Sequence, residues 1–215
     1  MISNLLIDLD GTLTDPKVGI IRCIQYALRS MVRDVPHSDE LSWVIGPPLL
    51  DTFKTLLNDS SLDPNEAVRL FRERFSSVGL LENRIYDGIF DLLSEQSKAE
   101  KRLFIASTKP HVYVNRILDN FNIAHFFERV YGSELDGTRS NKSDLLYYIF
   151  EDLMLDPDQT IMIGDRITDI DAAKYMNIRS VWVNYGFGDS SERNLAKPDY
   201  ICDSPWELRA FLNTI

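Results

Sequence analysis

Hydrophobic and polar positions follow two rhythms along this chain. Leu5, Leu6 and Ile7 form an apolar run suited to a fully buried strand, and it stops at Asp8, Asp10 and Gly11. A helical spacing follows, with Val18, Ile21, Ile24, Ala27, Leu28, Met31 and Val32 three and four apart over residues 16–33. Pro36, Gly46, Pro47 and Pro48 interrupt it. A short helix is predicted at 49–57. Asp63-Pro64-Asn65-Glu66 then supplies an N-cap residue, a first-position proline and an early acid for a helix running to about residue 78. No strand pattern occurs between 15 and 82, so this segment reads as an all-helical insertion.

From Gly88 helices and strands alternate. Helices are predicted at 89–96, 112–120, 145–153 and 170–176, and strands at 102–106, 129–131, 160–164, 179–183 and 200–202. Ser204-Pro205-Trp206-Glu207 has the form of a capping box opening a terminal helix. Strands separated by helices imply an α/β fold, a parallel sheet covered on both faces. The expected division is a core of residues 1–14 and 83–215 with a helical domain of 15–82.

At 215 residues, 44% of them hydrophobic, the chain can bury a substantial core. Its net charge of −10 argues against binding a nucleic-acid polymer, which needs a basic surface. No apolar run approaches the ~18 residues of a membrane span. The N-terminus enters a strand directly, without a signal-peptide pattern, and the expectation is a cytoplasmic protein with no membrane partner. Cys23 and Cys202 are far apart and read as buried reduced thiols.

Carboxyl ends of parallel strands are where ligand groups collect. Those ends carry Asp8, Asp10 and Thr12; Ser107, Thr108 and Lys109; and Asp165 with Asp169. Lys142 opens a helix soon after the third strand of the core. Asp8 and Asp10, two apart in extended chain, point to one side. On their own stretch the alternative is that they are solvated loop residues, and Asp165 and Asp169 acids favoured by a helix N-terminus. Neither description accounts for four acids at one sheet edge. Like charges so placed call for a cation, and oxygen-only ligands favour Mg²⁺ over zinc. A hard cation beside a lysine and hydroxyls makes a phosphate site. One strand acid can attack phosphorus while its neighbour protonates the leaving oxygen and then activates water, which gives two-step hydrolysis of a phosphate monoester.

Asp8-Leu9-Asp10-Gly11-Thr12-Leu13-Thr14, Ser107, Lys142 and Gly164-Asp165-Arg166-Ile167-Thr168-Asp169 resemble the four ordered motifs of the haloacid dehalogenase superfamily. The resemblance spans nearly the whole chain. It implies a Rossmann-like core with a small helical cap of the C1 type, as in phosphoglycolate phosphatase-like members. It also implies Asp8 as nucleophile and magnesium ligand, and Asp10 as acid and base with its carbonyl on the metal. Ser107 and Lys142 would bind phosphate, Asp165 would hold the metal, and Asp169 would do so directly or through water. Because dehalogenase members lack the second acid, Asp10 favours phosphoryl chemistry.

Ile45-Gly46-Pro47-Pro48-Leu49, Ser107-Thr108-Lys109-Pro110, Tyr131-Gly132-Ser133-Glu134-Leu135-Asp136-Gly137 and Tyr185-Gly186-Phe187-Gly188 are similar to a subgroup described as 5′-nucleotidase-like. On that resemblance Gly46 and Pro47 belong to a cap loop closing over the leaving group, and are otherwise a helix-breaking turn. Lys109 reads either as facing substrate or as preceding a proline turn. The expected partner is a small phosphorylated metabolite. Two alternatives remain on the sequence: a sugar phosphomutase using the same aspartates, and a non-catalytic phosphate-binding regulator.

Overall fold

The apolar run near the N-terminus becomes β1 (Asn4–Ile7), buried along its whole length in the computed structural model, which describes residues 1–58 and 61–215. Residues 59 and 60, within the expected helical insertion, lie outside the described residues. The chain divides into two compact units, Met1–Thr14 with Ile85–Ile215, and Asp15–Arg84.

The unit Asp15–Arg84 contains α1 (Lys17–Ser30), α2 (Leu49–Leu57) and α3 (Pro64–Phe75). α1 buries Ile20, Ile21, Ile24, Ala27 and Leu28, the face its three-and-four spacing defines. Two departures from the sequence reading stand at its ends. Val18 is 51% exposed, and the helix stops at Ser30, because Val32 takes a left-handed φ of 55° and points into solvent. α2 has the predicted bounds. α3 starts as expected, with the Asp63 carboxylate accepting from the Asn65 amide at 2.9 Å, but ends at Phe75 rather than 78. Phe71 stacks on Phe75 at 5.2 Å and meets Phe53 edge-on at 6.3 Å, so aromatic packing joins α2 to α3.

Short strands β2 (Thr14–Asp15) and β3 (Arg84–Ile85) pair with each other at the two points of the chain where the division falls. The remaining strands are β4 (Arg102–Pro110), β5 (Arg129–Ser133), β6 (Thr160–Gly164), β7 (Arg179–Val183) and β8 (Tyr200–Cys202). They join β1 in a six-stranded parallel sheet of order β5-β4-β1-β6-β7-β8. The chain builds outward from β1 to β5, then crosses back to β6 on the other side. β1 therefore lies at the switch point, where a crevice opens beyond the strand ends.

The helices here are α4 (Ile89–Lys98), α5 (His111–Asn120), α6 (Lys142–Leu153), α7 (Ile167–Tyr175), α8 (Ser190–Ala196) and α9 (Pro205–Leu212). Alternate strand residues Leu6, Phe104 and Met162 pack in one cluster with Leu145, Leu146 and Ile149 of α6 and Ala172 and Ala173 of α7. Sequence periodicity places α6 and α7 three residues too late. It registers where apolar burial begins, and each helix opens with a polar turn that carries Lys142 or Asp169.

The reading also stops β4 at residue 106, whereas the strand runs on to Pro110 through a register shift between Ala106 and Pro110. Ser107, Thr108 and Lys109 are thus strand residues, not loop residues. β5 extends two residues past the predicted 131 to Ser133. α8 is absent from the reading, since its seven residues are too few to show a period. At α9 the Ser204 hydroxyl accepts from the Glu207 amide at 3.2 Å, but the Glu207 carboxylate takes the Asp203 amide at 2.6 Å, one residue earlier than a capping box requires.

Candidate active site

Strand register sets the site. Ile7 pairs with Ile105 of β4 and Ile163 of β6, so the next residue of each strand arrives at one level. The Asp8 amide still donates to the Ile163 carbonyl at 2.9 Å. The chain then turns sharply, with the Leu9 carbonyl accepting from the amides of Thr12, Leu13 and Thr14 at 2.9–3.3 Å. Gly11 has a φ of 84°, and a Cβ there would fall on the Asp165 carboxylate. Only glycine fits both conditions.

Asp8, Asp165 and Asp169 are all buried and offer ligand oxygens within 4.8 Å of one another. Lys142, also buried, donates from Nζ to Asp8 Oδ1 and to the Ala106 carbonyl, each at 2.7 Å. The same ammonium lies 2.7 Å from Asp169 Oδ1, so one buried lysine pairs with both acids. Burial alone would lower the Lys142 pKa. The Asp169 and Asp8 carboxylates outweigh it, so the ammonium is held above its ordinary value.

Burial, then the charges of Asp169 and Asp8, push Asp165 well above the usual carboxylate range. Burial likewise raises Asp169, against the opposing pull of Lys142, to about 6. One positive charge among three buried acids leaves the group short of cation.

Its donors are all oxygen, and Asp165 Oδ1 is buried without a hydrogen-bond partner among the described residues. Such a set fits a hard divalent cation rather than zinc or a soft metal.

Asp10 is placed differently. Its Oδ2 lies 2.5 Å from Lys109 Nζ, with both side chains largely buried, and its Oδ1 is buried and unbonded among the described residues. Burial raises the Asp10 carboxyl while Lys109 pulls it back down. The side chain of Asp10 is not part of the three-carboxylate group. Lys109 faces this acid instead of solvent.

Ser107 is buried one residue beyond the carbonyl that holds Lys142, and its hydroxyl accepts from the Lys109 amide at 3.4 Å. Thr108 is half-buried, and its carbonyl accepts from the Ser133 hydroxyl at 2.7 Å. The Thr12 hydroxyl is buried without a hydrogen-bond partner among the described residues, while the Thr12 carbonyl accepts from the Tyr185 hydroxyl at 3.0 Å. Gly46 and Pro47 lie in the helical unit, exposed and half-buried respectively, just before α2.

Main-chain groups complete the site, and side-chain chemistry could not have revealed them. The Ala106 carbonyl is one. The Phe187 amide, donating to Asp165 Oδ2 at 2.7 Å, is another. The only trace of the latter in the sequence is the pair of glycines flanking Phe187.

None of the helices among the described residues is long and apolar enough to cross a membrane. Residues 5–183 match the family model described as haloacid dehalogenase-like hydrolase. A 5′-nucleotidase of Pseudomonas aeruginosa is 39% identical over 211 residues, covering 98% of this chain and 96% of its own. The tyrosine-protein kinase PtkA of Mycobacterium tuberculosis is 35% identical over 185 residues, which are 86% of this chain and 62% of the kinase. The crystal structure of a predicted phosphatase from Clostridium acetobutylicum superposes with a TM-score of 0.94 at 36% identity, with 100% of each chain covered.

Proposed function

Since the chain belongs to the haloacid dehalogenase-like hydrolases and is a phosphatase of that family, we propose that it hydrolyses small phosphate monoesters through an aspartyl phosphate on Asp8, with Mg²⁺ as cofactor. The observation that carries this is the buried pairing of Lys142 with Asp8 inside the three-carboxylate group, beside a second acid held by a different lysine.

In the first step a carboxylate oxygen of Asp8 bonds to phosphorus and the ester P–O bond breaks. The electron pair goes to the leaving oxygen, which takes a proton from Asp10. In the second, water attacks phosphorus and loses its proton to Asp10, the Asp8–phosphorus bond breaks, and phosphate and free Asp8 result. Lys142 and Ser107 bind the phosphoryl oxygens, with the ammonium offsetting the charge that spreads over them in transfer. Asp8 and Asp165 would hold the metal, with Asp169 beside them and the Asp10 carbonyl as a further ligand. Bound there, the cation would neutralise phosphoryl charge as a Lewis acid. Thr12, Thr108 and Lys109 line the same strand ends, and Lys109 keeps Asp10 in place.

A nucleoside 5′-monophosphate is the proposed substrate, ahead of phosphoglycolate. The P. aeruginosa relative named as a 5′-nucleotidase, alike over nearly its whole length, supports that order. Gly46 and Pro47, in the helical unit, are proposed to take part in substrate selection.

The test is a phosphate-release screen over nucleoside monophosphates, phosphoglycolate and sugar phosphates, with magnesium and after chelation, ranked by kcat/KM. Nucleoside monophosphates are expected to rank first, with activity lost on chelation and restored by magnesium. Interconversion of sugar phosphate isomers without phosphate release would make the protein a mutase. Tight binding of phosphate analogues with no turnover of any ester would make it a binding protein.

A further inference from the structure

The segment after β7 contains no residue of the four motifs, yet it reaches both acids that follow β6. The Phe187 amide holds Asp165 Oδ2 at 2.7 Å. A Cβ on Gly186 would fall on the Asp165 side chain and on the Gly11 carbonyl, and one on Gly188 would meet the Asp165 carbonyl and the Trp182 ring. Bare backbone is therefore packed against this aspartate. The Tyr185 hydroxyl ties the same loop to the turn after β1 through the Thr12 carbonyl at 3.0 Å.

Glu192, in the first turn of α8, extends this support to the second acid. Its Oε1 accepts from the Ile167 amide at 2.7 Å and from the Arg166 guanidinium at 2.9 Å. Those two residues open α7, and the Arg166 amide donates to Asp169 Oδ2 at 3.1 Å. The two acids thus share a pattern: in each, Oδ2 is tied to a main-chain amide fixed from this segment. Asp165 Oδ1 is buried without a hydrogen-bond partner among the described residues, whereas Asp169 Oδ1 faces the Lys142 ammonium at 2.7 Å.

We infer that residues 185–192 form a positioning clamp that fixes the Oδ2 atoms of Asp165 and Asp169, and so orients both carboxylates for a divalent cation, with Asp165 Oδ1 left open to it. Groups that orient metal ligands without touching the metal commonly set its affinity, because they determine how much ordering the ligands must undergo on binding. The inference rests on the magnesium reading above.

Magnesium titration of the chelator-treated protein, followed by the shift in melting temperature, tests it on wild type, Glu192→Ala, Glu192→Gln and Gly186→Ala. Glu192→Ala is expected to raise the magnesium midpoint about 10-fold. Glu192→Gln, which keeps an acceptor for the Ile167 amide, is expected to recover most of that loss. Gly186→Ala, which displaces the Asp165 carboxylate, is expected to raise the midpoint roughly 10- to 100-fold. A loop serving only stability would lower the melting temperature of the metal-free variants and leave their magnesium midpoints at the wild-type value, which overturns the clamp alone. Wild type showing no response to magnesium overturns the metal reading and the clamp with it. If Gly186→Ala does not fold, the Glu192 pair decides the question.

Discussion

Two lysines divide the work at the strand ends. Lys142 serves Asp8, Lys109 serves Asp10, and each pair is buried enough for its charges to act strongly. That arrangement lets neighbouring acids with similar chemistry take different roles, one as the proposed nucleophile and the other as the proposed proton carrier. Asp8→Asn keeps shape but removes the nucleophilic oxygen. Turnover is expected to fall by about 10⁴-fold or more, with circular dichroism unchanged, and steady-state phosphate release checks it. Activity near that of wild type would defeat the assignment. All four motif acids were legible as residue types in the sequence. The partners of Lys109 were not, because a lysine before a proline has the same sequence signature whether it faces solvent or an aspartate.

At the scale of elements, β1 does two jobs. It is one of the two central strands of the sheet, and its end delivers Asp8. Leu6 packs into the cluster beneath α6 and α7, the helices that carry Lys142 and Asp169. Leu6→Ala leaves a cavity under both, and is expected to cost about 2–5 kcal/mol in urea unfolding. Val18→Ala, at a position the spacing placed in the core but the structure exposes, is expected to change stability by less than about 0.5 kcal/mol. The error at Val18 has a simple cause. It sits in the first turn of α1, where a three-and-four rhythm can continue beyond the surface that the neighbouring elements cover.

For the whole molecule, the buried acids link stability, pH and metal. Asp169 has a folded pKa of about 6, above its unfolded value, and Asp165 is raised further by burial and like charge. A carboxyl raised on folding contributes stability that is fully present below its unfolded pKa and is lost as pH rises through the folded one. The metal-free protein should therefore lose the stability contributed by Asp169 as pH rises through about 6. Magnesium, which must displace their protons, should bind more weakly as pH falls through the same range. The melting-temperature gain on adding magnesium is expected to be small at pH 5 and to grow as pH rises through about 6. A gain independent of pH would mean that these acids are not the metal's ligands.

The sequence by itself determined the α/β class, the parallel sheet and the identity of the acids, because burial period and strand-end chemistry are written locally. Family membership, too, is legible in short ordered motifs of the sequence. What only the tertiary structure decided is how the charges pair. Lys142 meets Asp8 across 134 residues of chain, and the Phe187 amide meets Asp165 across 22. Such contacts follow from strand register and loop path, which bring distant backbone groups to one sheet edge and leave no periodic signal in the residues themselves.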